Sequence, residues 1–521
     1  MDLSSLPPSP TRSVSAVGSD SKVTNGVGDK ALNGAEDKAT NGLEDVEDLQ
    51  QDQRLQDPNL VAWKGDDDPE NPKNWAIRKK WLTAIPLSLF NLLGAMSSSA
   101  TAPALGSIQQ DLNMPPTLTI MSLSVFLLGT AITPLFTAPL SEIYGRLKIL
   151  QATNLLYILF NTLCGVATTK EQLIVFRFFA GVGGSGPQAI GSGINGDLFR
   201  AHERGKAVAV YTIAPLLGSV IGPIAGGFLV QYVNWRWCFY LVSILSGVVQ
   251  LVGLFAFHET YPPVLLQHKC KKLRKETGNQ GLYTEWERDH PSFPALLASS
   301  LARPFRLIFT QPIVQVLSIY IAYLNGILYL IVATFPQVWS DIYGESISIG
   351  SLNYISITVG MFISVQVGVR MADKVYKRLC AKHPKPRPEF RLPVLMIGSC
   401  IVPIGIFWYA WSARSSVNWI MPNIGAAIFS GGMLLQSVCI QGYLIDTYAT
   451  YAASAMASVT VLKSLLGFAL PLAAPGLYDS LGFAWGNSLL AFIAIVIGIP
   501  APIGLWFFGQ ALRNRSNYAQ G

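Results

Sequence analysis

The sequence predicts an all-α membrane protein of twelve transmembrane helices arranged as two pseudo-symmetric six-helix bundles. Three observations predict it. Hydrophobic tracts of about 20 residues, the length a helix needs to cross a bilayer, recur twelve times along the chain. A polar connection divides them six and six, and Lys and Arg gather in alternate loops.

Residues 1–78 are rich in Ser, Gly, Asn, Asp and Glu, with too few apolar groups to offset the entropy of ordering. They read as a disordered cytosolic tail. Met1 is followed by neither a basic start nor an apolar core, so the first span is expected to act as its own insertion signal. The first bundle, 79–258, carries tracts near 81–101, 117–139, 149–168, 172–194, 207–230 and 238–257. A central cytosolic loop, 259–311, contains KCKKLRK (Lys269 to Lys275) and YTEWERDH (Tyr283 to His290). The second bundle, 312–511, repeats the pattern near 312–335, 348–368, 393–412, 419–443, 455–477 and 486–510, and 512–521 form a short cytosolic tail.

Orientation follows from charge. The central loop has eight basic residues and the stretch Arg370 to Arg391 eight more, whereas the alternate loops hold only Lys170, Arg236 and Arg414. The basic side faces the cytoplasm by the positive-inside rule. Trp81, Trp235, Trp237, Trp411, Trp419 and Trp485 fall at span ends, where amphipathic rings prefer to sit.

Composition excludes several classes. Half the residues are hydrophobic and 13% charged, against about a quarter charged in soluble domains. The net charge of +7 belongs to membrane-flanking loops, so nucleic acid is not expected as a partner. The six cysteines lack paired spacing, and neither a disulfide nor a metal site is expected. Five histidines, with only His258 beside a span and no nucleophile elbow, argue against an enzyme. No catalytic residue and no cofactor is assigned. There is no GxxxxGK[ST] loop to harness ATP.

The halves repeat weakly. LSEIYGR (Leu140 to Arg146) follows the second tract and MADKVYKR (Met371 to Arg378) the eighth, while the fourth and tenth tracts end at Asp197 and Asp446. Parallel repeats of this kind describe transporters that rock about a central site.

Three strings carry mechanism. APLSEIYGR (Ala138 to Arg146) places the acid Glu142 beside the Gly145-Arg146 turn at a helix end, a charge latch that bundle tilting could break. Arg177, in LIVFRFFAGVGGSGPQ, lies inside a span, where a lone cation costs several kcal/mol unless it meets protein or water. It points into the bundle or snorkels to the nearby surface. GSVIGPIAGG, with Gly218, Gly222, Pro223, Gly226 and Gly227, permits close helix approach, which packing alone would also produce.

These strings resemble the major facilitator superfamily, and within it the fungal drug:proton antiporters. DPENPKNW (Asp68 to Trp75), NWRW (Asn234 to Trp237), ETYPPVLL (Glu259 to Leu266), PEFRLP (Pro388 to Pro393) and YLIDTYATYAASA (Tyr443 to Ala455) extend the resemblance over residues 61 to about 510. It implies the major facilitator fold, a gating loop around Glu142 and Arg146, proton coupling through Arg177, and export through the antiporter string. Asp197 and Asp446 read as gate residues or as ordinary helix caps. The chain departs from the family at GRLKIL, where relatives often carry a second arginine or a proline, and at Lys463, where arginine is expected. Lys463 is either a titrating or substrate-facing group or an interfacial lysine that snorkels.

By the same analogy spans one, four, seven and ten form the cavity. Their candidates are Asn91, Ser98 within Ser97 to Ser99, Gln188, Tyr320, Tyr323, Asn325, Tyr329 and Gln436, a lining suited to neutral or weakly charged amphipathic molecules. The expected function is proton-coupled efflux of small organic molecules, such as a secondary metabolite, toxin or drug, by a monomer in the plasma membrane with both termini cytosolic. The expected partners are that substrate, protons and the lipid bilayer. A polyamine exporter, an uptake carrier or a non-transporting sensor or scaffold are the alternatives.

Overall fold

The computed structural model describes residues 57–65, 67–289, 293–383, 387–516 and 518–519. The tail expectation for residues 1–56 lies outside them.

Eleven helices are long and apolar enough to cross a membrane, among the described residues. In order they are the first span, Ile77–Ala100, the second, Pro116–Tyr144, and the third, Arg146–Val166. The fifth is Ala201–Tyr232, the sixth Trp237–Ala256, the seventh Pro312–Gln337 and the eighth Ile347–Lys382. The ninth is Leu392–Ser412, the tenth Ile420–Thr447, the eleventh Ala452–Leu472 and the twelfth Ala474–Asn514.

The fourth span completes the twelve but is divided. Lys170–Gly184 and Gly186–Leu198 meet at Ser185. Pro187 has no N–H to give to the carbonyl four residues back, and its neighbours Gly183, Gly184 and Gly186 have weak helix propensity, so the ladder breaks there.

The outer surface is that of a protein solvated by hydrocarbon. Leu155, Leu251, Phe255, Val496 and Phe507 are exposed, and Phe255 is 86% accessible. A belt of this kind is stable only against lipid. The polar groups turn inward instead: Arg177, Asn161, Ser318 and Gln436 are almost wholly buried.

One face carries the basic segments. There the stretch before the first span folds against the helix Pro262–Thr277: Tyr283 and Val61 pair backbone to backbone at 2.8 Å, and Lys269 bridges Asp68 at 3.2 Å and Glu70 at 2.7 Å. The backbone N–H groups of Lys64 and Glu70, more than the Lys269 charge, hold the Asp68 carboxyl below the usual carboxylate range. The chain's other end returns to the same face, where Ser516 donates to Gln311 and Tyr518 meets Tyr451 edge-on at 5.3 Å.

From mid-depth to the opposite face, which is poor in basic residues, the two bundles touch. The second and eleventh spans are joined by the Thr130 and Ser464 hydroxyls at 3.1 Å, and the fifth and eighth by the Ser348 N–H donating to Gln231 at 2.8 Å. Tyr329 of the seventh span donates to Ser98 of the first at 3.4 Å. At the basic face, by contrast, Arg146–Asp197 closes within the first bundle and Arg391–Asp446 within the second, while Lys269 ties the central segment to the stretch before the first span.

Candidate functional site

The arginine of the fourth span is a bundle residue. Arg177 is 0% exposed, so it does not snorkel. Its Nε donates to the Ser122 carbonyl at 3.1 Å, and its terminal nitrogens donate to the carbonyl and hydroxyl of Ser97 at 3.3–3.4 Å. The guanidinium stands 4.7 Å from the Phe126 ring and 5.6 Å from Phe239. One cation thus ties the first, second and fourth spans together through neutral acceptors and aromatic faces.

The glycine string of the fifth span is a seam. A Cβ on Gly222 would lie 2.6 Å from the Met96 carbonyl oxygen, and side chains on Gly218 and Gly226 would strike the carbonyls of Leu92 and Ala100. These three glycines, four residues apart, bring the fifth span onto the backbone of the first. Gly227 looks the other way, against Ser351 of the eighth span, and so lies on the boundary between bundles. Pro223 is buried within the continuous helix.

At the basic face each bundle holds a latch. Arg146, first residue of the third span, donates from Nε to Asp197 at 3.3 Å and from Nη1 to Ser141 at 3.0 Å, with its guanidinium 4.7 Å over Tyr261. The Glu259 carboxylate accepts from the backbone N–H groups of Arg146 at 2.9 Å and Leu147 at 3.3 Å, a charged cap on the positive end of that helix. Gly145 adopts φ +98°, and a Cβ there would run into Glu259. Burial first, and the Glu142 charge second, push the Tyr261 phenol up to about 12, which places Glu142 in this cluster.

The second bundle repeats the device at equivalent positions. Arg391, which directly precedes the ninth span, donates to Asp446 at the end of the tenth at 2.6 Å, and its guanidinium stands 4.9 Å from Tyr376. Gly193 and Gly442, each four residues before its aspartate, are the surfaces on which the two guanidiniums rest. Beside this latch Glu389 and Arg513, 6% and 5% exposed, pair at 3.2 Å.

The cavity candidates fall in three places. Ser98, Asn325 and Tyr329 lie between the bundles, Asn325 donating to the Lys463 carbonyl at 3.0 Å. Asn91 donates to the Tyr211 carbonyl of the fifth span at 3.3 Å, and Gln188 is exposed on the fourth. Tyr320, Tyr323 and Gln436 are sealed inside the second bundle instead. Tyr323 donates to Leu490 at 2.7 Å, Tyr320 abuts Gly498, and Gln436 packs against Gly398. Tyr320 and Tyr323 share a helix face one turn apart that meets the twelfth span, while Asn325 and Tyr329 share the face toward the other bundle.

Five participating residues escaped sequence reasoning. Ser122 serves Arg177 through its carbonyl, which no side-chain pattern reveals. Glu259, Glu389 and Arg391 lie in strings that looked like family punctuation and Arg513 in the expected C-terminal tail, and only folding brings them to their partners.

The comparisons agree with this architecture. The family described as Major Facilitator Superfamily matches residues 87–471. The efflux pump vrtL of Penicillium aethiopicum is 47% identical over 470 residues, covering 89% of this chain and 92% of its own. The efflux pump radE of Floropilus chiversii is 39% identical over 473 residues, covering 90% and 88%. Among solved structures, the xylose transporter XylE from E. coli, in a partially occluded inward-open conformation, shares the fold with TM-score 0.62 at 15% identity, over 83% of this chain and 98% of that one. With this match over most of its length, and with the two bundles and buried arginine described above, the chain belongs to the Major Facilitator Superfamily, a family of membrane transporters and not of enzymes.

Proposed function

We propose that this transporter exports small amphipathic organic molecules in exchange for protons by alternating access, as a monomer in the plasma membrane with its basic face in the cytosol. The observation that carries the export reading is the Gly218–Gly222–Gly226 seam with Pro223. It makes the fifth span a rigid partner of the first, and Gly227 at its end bears on the eighth span. The names of the relatives vrtL and radE, both efflux pumps, point the same way.

In this reading the contacts at the bare face seal the outside, and the cavity opens to the cytosol. The pairs Arg146–Asp197 and Arg391–Asp446 then stiffen each bundle's cytosolic rim, and their rearrangement accompanies closure of that side. Arg177 transmits tilt among three spans, because its acceptors are fixed backbone carbonyls. The spans that surround the bundle boundary offer no carboxylate at mid-depth for a polycation, which disfavours a polyamine cargo.

The test is export from sealed proteoliposomes under an imposed pH step. Arg177→Ala removes charge-assisted hydrogen bonds worth about 1.5–3 kcal/mol each, and proton-dependent transport is expected to fall by at least ~10-fold. Undiminished transport by that variant would remove Arg177 from the mechanism.

A further inference from the structure

The membrane-embedded part of the chain has two cations and no acid. Away from the helix ends, and apart from the charged basic-face extension Val369–Lys382 of the eighth span, the charged residues of the described spans are Arg177 and Lys463. Arg177 is spent: every one of its bonds goes to fixed protein acceptors, and it is closed off behind Phe126 and Phe239.

Lys463 is in a different position. It lies near the middle of Ala452–Leu472 and remains partly exposed. Among the described residues its ammonium forms no ion pair and no hydrogen bond; only its backbone carbonyl is engaged, by Asn325. The next residue, Ser464, meets Thr130 of the other bundle. One turn on, Gly467 packs against Asn325, Tyr329 and Leu127. The face bearing Lys463 therefore looks onto the boundary between bundles.

The elements packed on this helix supply no counter-charge at its depth. The seventh span has no charged residue. On the second, Glu142 is twelve residues beyond Thr130, about 18 Å along the helix. On the tenth, Asp446 is held by Arg391 at the basic face. The twelfth has Asp479 and Arg513 at opposite ends, and the helix Phe293–Thr310 brings only Arg303 and Arg306. A lone ammonium at this depth costs several kcal/mol unless water or a ligand compensates it.

We propose that Lys463 anchors an anionic group of the transported molecule, and that the substrates are amphipathic organic acids bearing a carboxylate or an ionised phenol or enol. This rests on the export reading and narrows it: an uncompensated positive charge at the low-dielectric boundary between bundles attracts anions and repels cations.

The experiment is equilibrium binding to the purified full-length protein in nanodiscs, followed by tryptophan quenching. The probes are butyrates of pyrene, anthracene and naphthalene, each with its butanol and butylamine counterpart. The acids are expected to bind at least ~10-fold more tightly than the alcohols, with the amines weakest. Lys463→Gln is expected to abolish that preference while alcohol affinity stays, which also reports that the variant is folded; Lys463→Arg is expected to keep it. Equal binding of acid, alcohol and amine to the wild type overturns the proposal, as does a preference that survives Lys463→Gln. No gradient is needed, so acid preference without pH-driven movement would sink the export reading alone. Proton-driven movement of neutral or cationic compounds with no acid preference would sink this one alone.

Discussion

Gly145 shows how much a single backbone position carries. Its φ of +98° turns the chain from the second span into the third, and the absent Cβ leaves room for the Glu259 carboxylate that caps the third helix. Gly145→Ala forces a strained backbone, at a cost of roughly 1–3 kcal/mol, and displaces that cap. A lower melting temperature in detergent and weaker transport are the expected outcomes. A wild-type melting curve would show that the turn tolerates a side chain. The Arg146–Asp197 bond is a separate matter: it is partly solvent-accessible, so its worth lies in geometry at the rim more than in stability.

At the level of elements, glycines act by what approaches them. Gly222→Val would press two methyl groups into the first span's backbone and is expected to destabilise by about 1–3 kcal/mol, read as reduced folded yield. A Cβ on Gly205, on the same helix, would meet nothing within 4 Å. Gly205→Ala is therefore expected to be neutral or to stabilise by up to about 1 kcal/mol through helix propensity. If both variants behaved alike, the seam would not be the cause.

The clasp of residues 57–76 on the central segment carries a pH dependence. Asp68 has a depressed carboxyl pKa in the folded chain, so its contribution is full above the unfolded value of about 4 and is lost as pH falls through the depressed one. Burial is the largest single influence on Lys269 and lowers it, but the Glu70 and Asp68 carboxylates together outweigh it and raise the ammonium, so its contribution is full below about 10.5 and is lost as pH rises further. Protection factors for hydrogen exchange in residues 57–65, each taken against the intrinsic rate at the same pH, are expected to be high at neutral pH and to fall toward pH 3, with Asp68→Asn poorly protected throughout. Slow exchange in that variant would separate the clasp from this carboxylate.

The whole molecule is closed at the bare face by contacts between bundles. Cross-linking Gln231→Cys to Ser348→Cys with a short, cleavable reagent should hold that face shut, with Cys380 and Cys400 replaced by Ser to prevent side reactions. Transport is expected to stop and to return on reduction. Full activity in the cross-linked state would mean that these helices need not part.

The all-helical membrane class and the two-bundle plan were legible because membrane insertion is decided by local hydropathy and loop charge, both written in one dimension. The same logic made Arg177 conspicuous, since a charge inside an apolar tract needs no structure to stand out. Which helix face meets which neighbour was not legible. Tyr320 and Tyr323 turn into the twelfth span while Tyr329 crosses to the first, and composition reads the same for all three. Arg391 finds Asp446, and Arg146 finds Asp197, across 55 and 51 residues of chain. Sequence alone determined what had to be buried in the membrane and roughly where; only tertiary packing decided the partners, because a helix's rotation is set by its neighbours and not by its own residues.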